Sequence, residues 1–254
     1  MIFHTSYNKP PTSFHIILNN VDLERVVNSK FLGVIIQENL MWNTHINYIC
    51  NKVSKATAIL AKLKHYLPKY VLKIIYNSLA LSNMTYALSA WGAAPKSPID
   101  RLHRSAIDRM HKLHKKGIRH ICNSKYNAHT VPLFKKENVL QFQDLYKLQC
   151  IKIMHKKIHN TLHSYHTSQL TTYFEITQTN TRIQDDVCLE MPINTLFKIN
   201  SINHKVGSSW NELSLDIRKH ALKSIRTLTQ HVKKSYLSKY SYVCNIANCY
   251  SCKW

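Results

Sequence analysis

Ile46-Asn47-Tyr48-Ile49-Cys50-Asn51-Lys52-Val53-Ser54-Lys55-Ala56-Thr57-Ala58-Ile59-Leu60-Ala61-Lys62-Leu63-Lys64-His65-Tyr66-Leu67-Pro68 decides the fold class. Ile46, Ile49, Cys50, Val53, Ala56, Leu60, Leu63 and Leu67 recur at steps of three and four, which return to one side of a helix. The result is a single apolar stripe, with Lys52, Lys55, Lys62 and Lys64 on the other faces. Pro68 has no N–H to continue the ladder, so it ends this helix and can open the next. That next segment is apolar nearly all round as far as Trp91. Lys73, Asn77, Ser78, Ser82, Asn83 and Thr85 make it too polar for a membrane span, and it is expected as a buried core helix. Gly92 and Pro95 break the chain again.

The same period continues outward from this region. A third helix is expected over residues 97–122, loaded with Arg101, Arg104, Arg109, Lys112, Lys115, Lys116 and Arg119 and four interleaved His. It contains a small repeat, Ile99-Asp100-Arg101-Leu102-His103 echoed by Ile107-Asp108-Arg109-Met110-His111. Eight residues overshoot two helical turns, so the copies lie on different faces, as in a local tandem duplication. A fourth helix is expected over about 137–162, with Leu145, Leu148, Ile151, Met154, Ile158 and Leu162 on one side. Residues 165–207 are mixed, with weak strand signals such as 187–191, and a short amphipathic unit follows at 210–217. A last helix turns Leu222, Ile225, Leu228, Val232 and Tyr236 inward and Lys223, Arg226, Lys233 and Lys234 outward. Before residue 39 the pattern is extended: Phe14–Leu18 and Phe31–Ile36 are strand-like runs separated by the turn-prone Asn19-Asn20 and Asn28-Ser29. Two or three strands are not a stable sheet alone, so they must dock on the helices or belong to something larger.

Charge then bounds the partners. The chain has 254 residues and a formal net charge of +22, from 35 Lys and Arg against 13 Asp and Glu. At 44% hydrophobic it is too apolar for a disordered basic tail. Residues 39–136 hold 17 Lys and Arg and only two acids, a net of +15; residues 217–254 hold eight bases and no acid. Concentrated charge of this size implies a polyanionic partner, nucleic acid first and an anionic membrane second; the alternative is a set of solvated basic helix faces. Seven Cys, an odd number, with no secretory signal at Met1-Ile2-Phe3-His4, point to reduced thiols in an intracellular protein of the cytoplasm or nucleus. Cys50 and Cys150 fall on apolar faces as packing residues.

Motifs for chemistry are few. Asp185-Asp186 is the only acidic doublet; two carboxylates can hold a divalent metal for phosphoryl transfer, but no aromatic residue and spacer precede this pair, and it reads as a solvated loop. No P-loop, GxSxG, HExxH or GxGxxG occurs. Cys244, Cys249 and Cys252 have the spacing of zinc thiolates, with His231 as a candidate fourth ligand, the alternative being free thiols in the tail.

A longer series of motifs stands in order along the chain: Lys30-Phe31-Leu32-Gly33-Val34-Ile35-Ile36; Leu40-x-Trp42-x-x-His45-Ile46; Leu67-Pro68; Tyr76-x-Ser78-Leu79; Tyr86 and Trp91-Gly92. Then come Arg119-x2-Cys122, His129-Thr130-x-Pro132-Leu133-Phe134, Asp144-Leu145-Tyr146-x2-Gln149 and Thr181-Arg182. Ser201-Ile202, Gly207-x2-Trp210-Asn211-x-Leu213 and Ile217-Arg218 close it. This series resembles the reverse transcriptases of non-LTR (LINE-type, jockey-like) retrotransposons.

The resemblance implies a mainly α chain: a residual β-hairpin of a polymerase palm, a helical thumb and an α-rich C-terminal region. Residues 1–38 would be the palm remnant with a primer-grip-like hairpin at Phe31-Leu32-Gly33, 39–96 thumb-like helices, 97–240 the post-thumb region and 241–254 a Cys-containing tail. The catalytic carboxylates and their Mg²⁺ would lie upstream of residue 1, so the segment would not be an enzyme by itself and would need no cofactor, zinc at the tail aside. Gln37 stands where the family has Asp, and Ser208 and Ser214 where it has Pro, as in a decayed or truncated copy.

Function is then expected as phosphate binding to RNA or an RNA–DNA duplex, through Phe31, Leu32, Gly33, Lys52, Lys55, Lys62, Lys64, Arg101, Arg104, Lys112, Lys115, Lys116 and Arg119. Lys outnumbers Arg 27 to 8, which suits point-charge contacts with phosphate rather than bidentate base readout. The alternative is a stand-alone, domesticated RNA- or DNA-binding module. Residues 31–64 are also similar to the N-terminal extension of AlkB-like tRNA-modifying dioxygenases, but no HxD pair is present to hold Fe(II).

Overall fold

The N-terminal part forms two separate two-stranded ribbons, and among the described residues everything after Trp42 is helix or connecting turn. The structure, a computed structural model, describes residues 1–4, 11, 15–92, 101–162, 170, 201–220 and 223–240, and for residues 101–105 the helix but not the side chains. Phe14, Leu222, the strand signals at 187–191 and the tail from 241 lie outside the described residues.

Strands β1 (Ile17–Leu18) and β2 (Val21–Asp22) pair through Asn19-Asn20, both at positive φ (51° and 58°), which Asn tolerates better than other side chains. Strands β3 (Asn28–Phe31) and β4 (Val34–Gln37) pair with Phe31 opposite Val34. This corrects the expectation of one strand over 31–36. Gly33 (φ 81°) and Leu32 (φ 46°) supply the two positive-φ positions that a tight hairpin turn needs, so the run folds back on itself and Asn28-Ser29 belongs to the strand.

Neither ribbon contributes to the core, which begins at Ile46. The second ribbon is instead hydrogen-bonded to α1 (Asn43–Leu63): the Ile35 N–H donates to His45 Nδ1 at 3.2 Å, and the Thr44 N–H to Gln37 Oε1 at 3.1 Å. Trp42, at the N-cap, offers no side-chain acceptor, so Gln37 satisfies one of the four free N–H groups at the helix start.

The stripe read from the sequence is the buried side of α1, from Ile46 to Leu60, with Leu63 and Leu67 packed at its edge. Pro68 takes the N-cap of α2 (Lys69–Tyr76). The expected continuous buried helix to Trp91 is not formed. A π-helical turn at Asn77–Leu81, α3 (Ser82–Thr85) and α4 (Leu88–Trp91) follow, with a break at Tyr86 (ψ 125°) and Ala87 (φ 48°). The polar residues explain the irregularity. Ser78 Oγ, Asn83 Nδ2 and Thr85 Oγ1 donate to carbonyls four residues back, at 2.6, 2.8 and 2.9 Å, in competition with the helix ladder. Burial is also one-sided: Leu72, Tyr76, Ala80, Met84 and Leu88 repeat every four residues, while Tyr70, Ile74, Leu79 and Tyr86 remain exposed.

Helix α5 (Arg101–Ile121) packs along α1 and buries Ala106, Met110, Ile118 and Ile121. The helix expected over 137–162 is the shorter α7 (Phe142–Ile158), and a further helix that the sequence reading did not place, α6 (Thr130–Lys136), precedes it, the two separated by Asn138 at φ 55° and an extended Gln141. Helix α7 is the central element, buried at Phe142, Tyr146 and Cys150 as well as at Leu145, Leu148, Ile151 and Met154. The unit at 210–217 also divides, into α8 (Ile202–Asn211) and α9 (Leu215–Lys219), with Ser214 extended between them. Helix α10 (Ile225–Ser238) turns Leu228, Val232 and Tyr236 inward, but Ile225 is exposed and Lys233 is half-buried rather than outward.

Among the described residues a single hydrophobic core runs from α1 to Tyr240. The Tyr240 hydroxyl donates to the Asp144 carboxylate and accepts the Gln141 N–H at 2.8 Å, which ties the end of α10 to the start of α7. Cys50 and Cys150 are buried, and no described helix is long and apolar enough to cross a membrane.

Candidate nucleic-acid interface

The β3–β4 turn stands out from the ribbon, with Phe31 62% and Leu32 74% exposed. A leucine in left-handed backbone costs about 1 kcal/mol, and Tyr86 holds it there: the Tyr86 hydroxyl donates to the Leu32 carbonyl at 2.6 Å. Tyr86 sits at the α3–α4 break, and its own carbonyl accepts from Trp91 Nε1 at 3.0 Å, deep in the core. A Cβ on Gly33 would meet the Tyr86 ring at an ordinary 3.6 Å, so the positive φ, not crowding, is what favours glycine.

Between this turn and α1 lies an open groove of about 360 Å³, lined among others by Lys30, Tyr48, Lys52, Asn83 and Tyr86. Tyr48 and Lys52 are one helical turn apart on α1. The Lys52 ammonium is 4.6 Å from the Tyr48 ring centre and the Lys30 ammonium 5.7 Å, so two cations of different elements converge on one aromatic ring. Hydrogen bonding to Lys52 holds the Tyr48 phenol below its ordinary pKa, against the opposing effect of desolvation and with Lys30 adding to the pull.

The basic surface continues from the groove along α1 to Lys55 and Lys62, both exposed. Lys52 to Lys62 spans about 15 Å of helix. Helix α5 lies beside it in the same direction. Arg109 Nη2 donates to Asn51 Oδ1 at 2.9 Å near one end, and near the other Lys64 and Lys116 both bear on His120. Burial first, then Lys64, Lys116 and Arg119, hold the His120 pKa below its usual value. Lys112, Lys115 and Lys116 are exposed on α5.

Gly33 and Lys52 therefore both line the groove; Phe31 and Leu32 lie on the exposed turn, and Lys55, Lys62, Lys112, Lys115 and Lys116 are further exposed cations on the adjacent helices α1 and α5. Two expected contacts are turned inward. Lys64 is half-buried at the end of α1, and Arg119 is half-buried with its Nε donating to the Ala128 carbonyl at 2.9 Å, where it clamps the turn after α5. Burial lowers the Arg119 pKa, with Tyr126 acting in the other direction. The side chains of Arg101 and Arg104 lie outside the described residues.

The cysteines of the zinc expectation, Cys244, Cys249 and Cys252, are not among the described residues, and His231 stacks on His220 with ring centres 3.7 Å apart. Asp185-Asp186 also lies outside, and the described residues contain no group of three or more metal-ligating side chains.

Sequence reasoning missed Lys30, Tyr48, Asn83 and Tyr86 as groove residues. The Tyr48–Lys52 spacing on one helix face was a legible signal; the approach of Lys30 and Tyr86 to that face depends on tertiary packing. No protein-family model matches this sequence, and neither a curated protein nor a solved structure matches it.

Proposed function

We propose that this chain binds the phosphate backbone of RNA or an RNA–DNA duplex inside the cell, in cytoplasm or nucleus, as the thumb and post-thumb part of a non-LTR retrotransposon reverse transcriptase. The observation that carries the reading is the convergence of Lys30 and Lys52 on Tyr48 beneath the exposed Leu32-Gly33 turn, at the head of a basic surface along α1 and α5. Lysines on rigid helices release counterions from phosphates and give affinity with little sequence preference. The reading assigns polymerisation chemistry to carboxylates outside this sequence, so the chain is a binding segment rather than an enzyme.

The test is fluorescence anisotropy with a labelled RNA–DNA primer–template. Lys30→Ala/Lys52→Ala is expected to weaken binding by roughly tenfold at about 0.15 M salt and to reduce the salt slope by about 2. Unchanged affinity refutes the assignment of the groove, and incorporation of dNTPs with Mg²⁺ refutes the non-catalytic reading. A second reading, an independent binding module, is favoured by the single core from α1 to Tyr240; it predicts cooperative unfolding of the isolated chain.

A further inference from the structure

Three of the most exposed large side chains among the described residues lie at the end of the molecule away from the groove, and all three are tyrosines. Tyr126 is 86%, Tyr66 83% and Tyr70 68% exposed. Tyr66 is in the turn between α1 and α2, Tyr70 in the first turn of α2, and Tyr126 in the turn after α5. The buried Glu137 carboxylate brings these segments together, because it pairs with Lys69 and accepts from Cys122 Sγ at 3.4 Å. Lys69 neighbours Tyr70, and Cys122 opens the turn that carries Tyr126.

The turns are held firmly. The Ser124 N–H donates to the Arg119 carbonyl at 2.9 Å, the Ala128 N–H to Lys125 at 3.1 Å, and Arg119 Nε to Ala128 at 2.9 Å. The Tyr66 N–H donates to Leu63 at 3.0 Å. Lys69, Lys116 and Lys136 are exposed around these turns, Lys64 and Arg119 are half-buried beside them, and the neighbouring acid Glu137 is buried and already paired.

We propose that Tyr66, Tyr70 and Tyr126 form a stacking platform for the unpaired bases of a single-stranded nucleic acid whose phosphates run over the surrounding lysines. The inference rests on the nucleic-acid-binding reading above and adds a second surface with a different preference. Exposed aromatic faces among cations match a single strand because each base offers a π-face, whereas a duplex closes those faces within its own stack. An acidic polypeptide would satisfy the lysines but leave the three rings without flat partners.

The test compares one labelled 20-nucleotide RNA, its duplex, the same backbone without bases, and poly-glutamate as competitor, using the full chain. Tyr66→Ala/Tyr70→Ala/Tyr126→Ala is expected to weaken single-strand binding at least tenfold and duplex binding less than twofold. The triple Phe variant, which keeps the rings, is expected to bind within about twofold of the parent, and the abasic strand to bind the parent as poorly as RNA binds the Ala variant. All substitutions are at exposed positions, so matching thermal melts check that folding is intact. Binding of RNA that ignores the tyrosines or the bases overturns this inference and leaves the phosphate-binding reading standing. Tyrosine-dependent binding of poly-glutamate in preference to RNA overturns it in favour of an acidic protein. Failure of the parent chain to bind any nucleic acid overturns both.

Discussion

His114 is 1% exposed and stacks on Phe134 with ring centres 4.8 Å apart. Its Nε2 is 3.0 Å from the Leu140 carbonyl, which can only accept, so Nε2 carries the proton. Nδ1, 2.7 Å from the Tyr76 hydroxyl, must then accept the phenolic proton. The ring is fully bonded as the neutral form. Burial, with the charge of His111 adding to it and the Leu140 bond opposing, lowers its pKa from 6.5 to about 4. A lowered folded-state pKa means that the unfolded chain takes up the proton first. The stabilisation is therefore complete above pH 6.5 and is lost as pH falls towards 4, a total of about 3 kcal/mol. At pH 4.5 most of it, about 2.5 kcal/mol, is gone.

Urea unfolding of His114→Phe at several pH values tests this. At pH 7.5 the variant leaves the Tyr76 hydroxyl and Leu140 carbonyl without their partner and should be less stable by about 2 kcal/mol. At pH 4.5 the parent has lost its own margin and the variant has not, so the difference should vanish or reverse. His45, His120 and His220 have pKa values displaced in the same direction, but both proteins carry them, so they cancel in the comparison. A stability difference that stays constant from pH 7.5 to 4.5 refutes the buried neutral imidazole.

Other substitutions probe the supports of the two surfaces. Glu137→Ala removes the carboxylate that joins α2 to the end of α5; because Lys69 and Lys73 are partly exposed, the expected loss is about 2 kcal/mol, below that of a fully buried pair, measured by urea denaturation. Gly117→Ala would place a Cβ 2.7 Å from the Tyr76 ring and should cost about 2 kcal/mol through overpacking, although alanine is the better helix former; a raised melting temperature would contradict it. Leu32→Asn relieves the left-handed leucine and should stabilise the β3–β4 turn by up to about 1 kcal/mol, seen as slower amide exchange in the ribbon.

The α1 stripe was fully legible, because its apolar spacing is local and Ile46 to Leu60 are buried as read. The segment after Pro68 shows where that legibility stops. Composition alone made it a buried helix, yet its Ser, Asn and Thr side chains bond back to the chain, and Tyr70, Ile74, Leu79 and Tyr86 are exposed. The Phe31–Ile36 run read as a strand because five of its six residues suit one; Leu32 and Gly33, both at positive φ, reversed it. At the candidate site, Lys52 was visible as an exposed cation on a helix. Its partners Lys30 and Tyr86 arrive from other elements, and Arg119 looked exposed only because its bond to the Ala128 carbonyl cannot be read from spacing.

The surface along α1 and α5 is proposed to grip phosphates. The most direct measurement is the affinity of the full chain for one RNA–DNA duplex across a salt series. Engagement of about five or six lysines predicts a slope of log affinity against log salt near −5. A slope between 0 and about −1 would mean that few counterions are released, and would contradict the account.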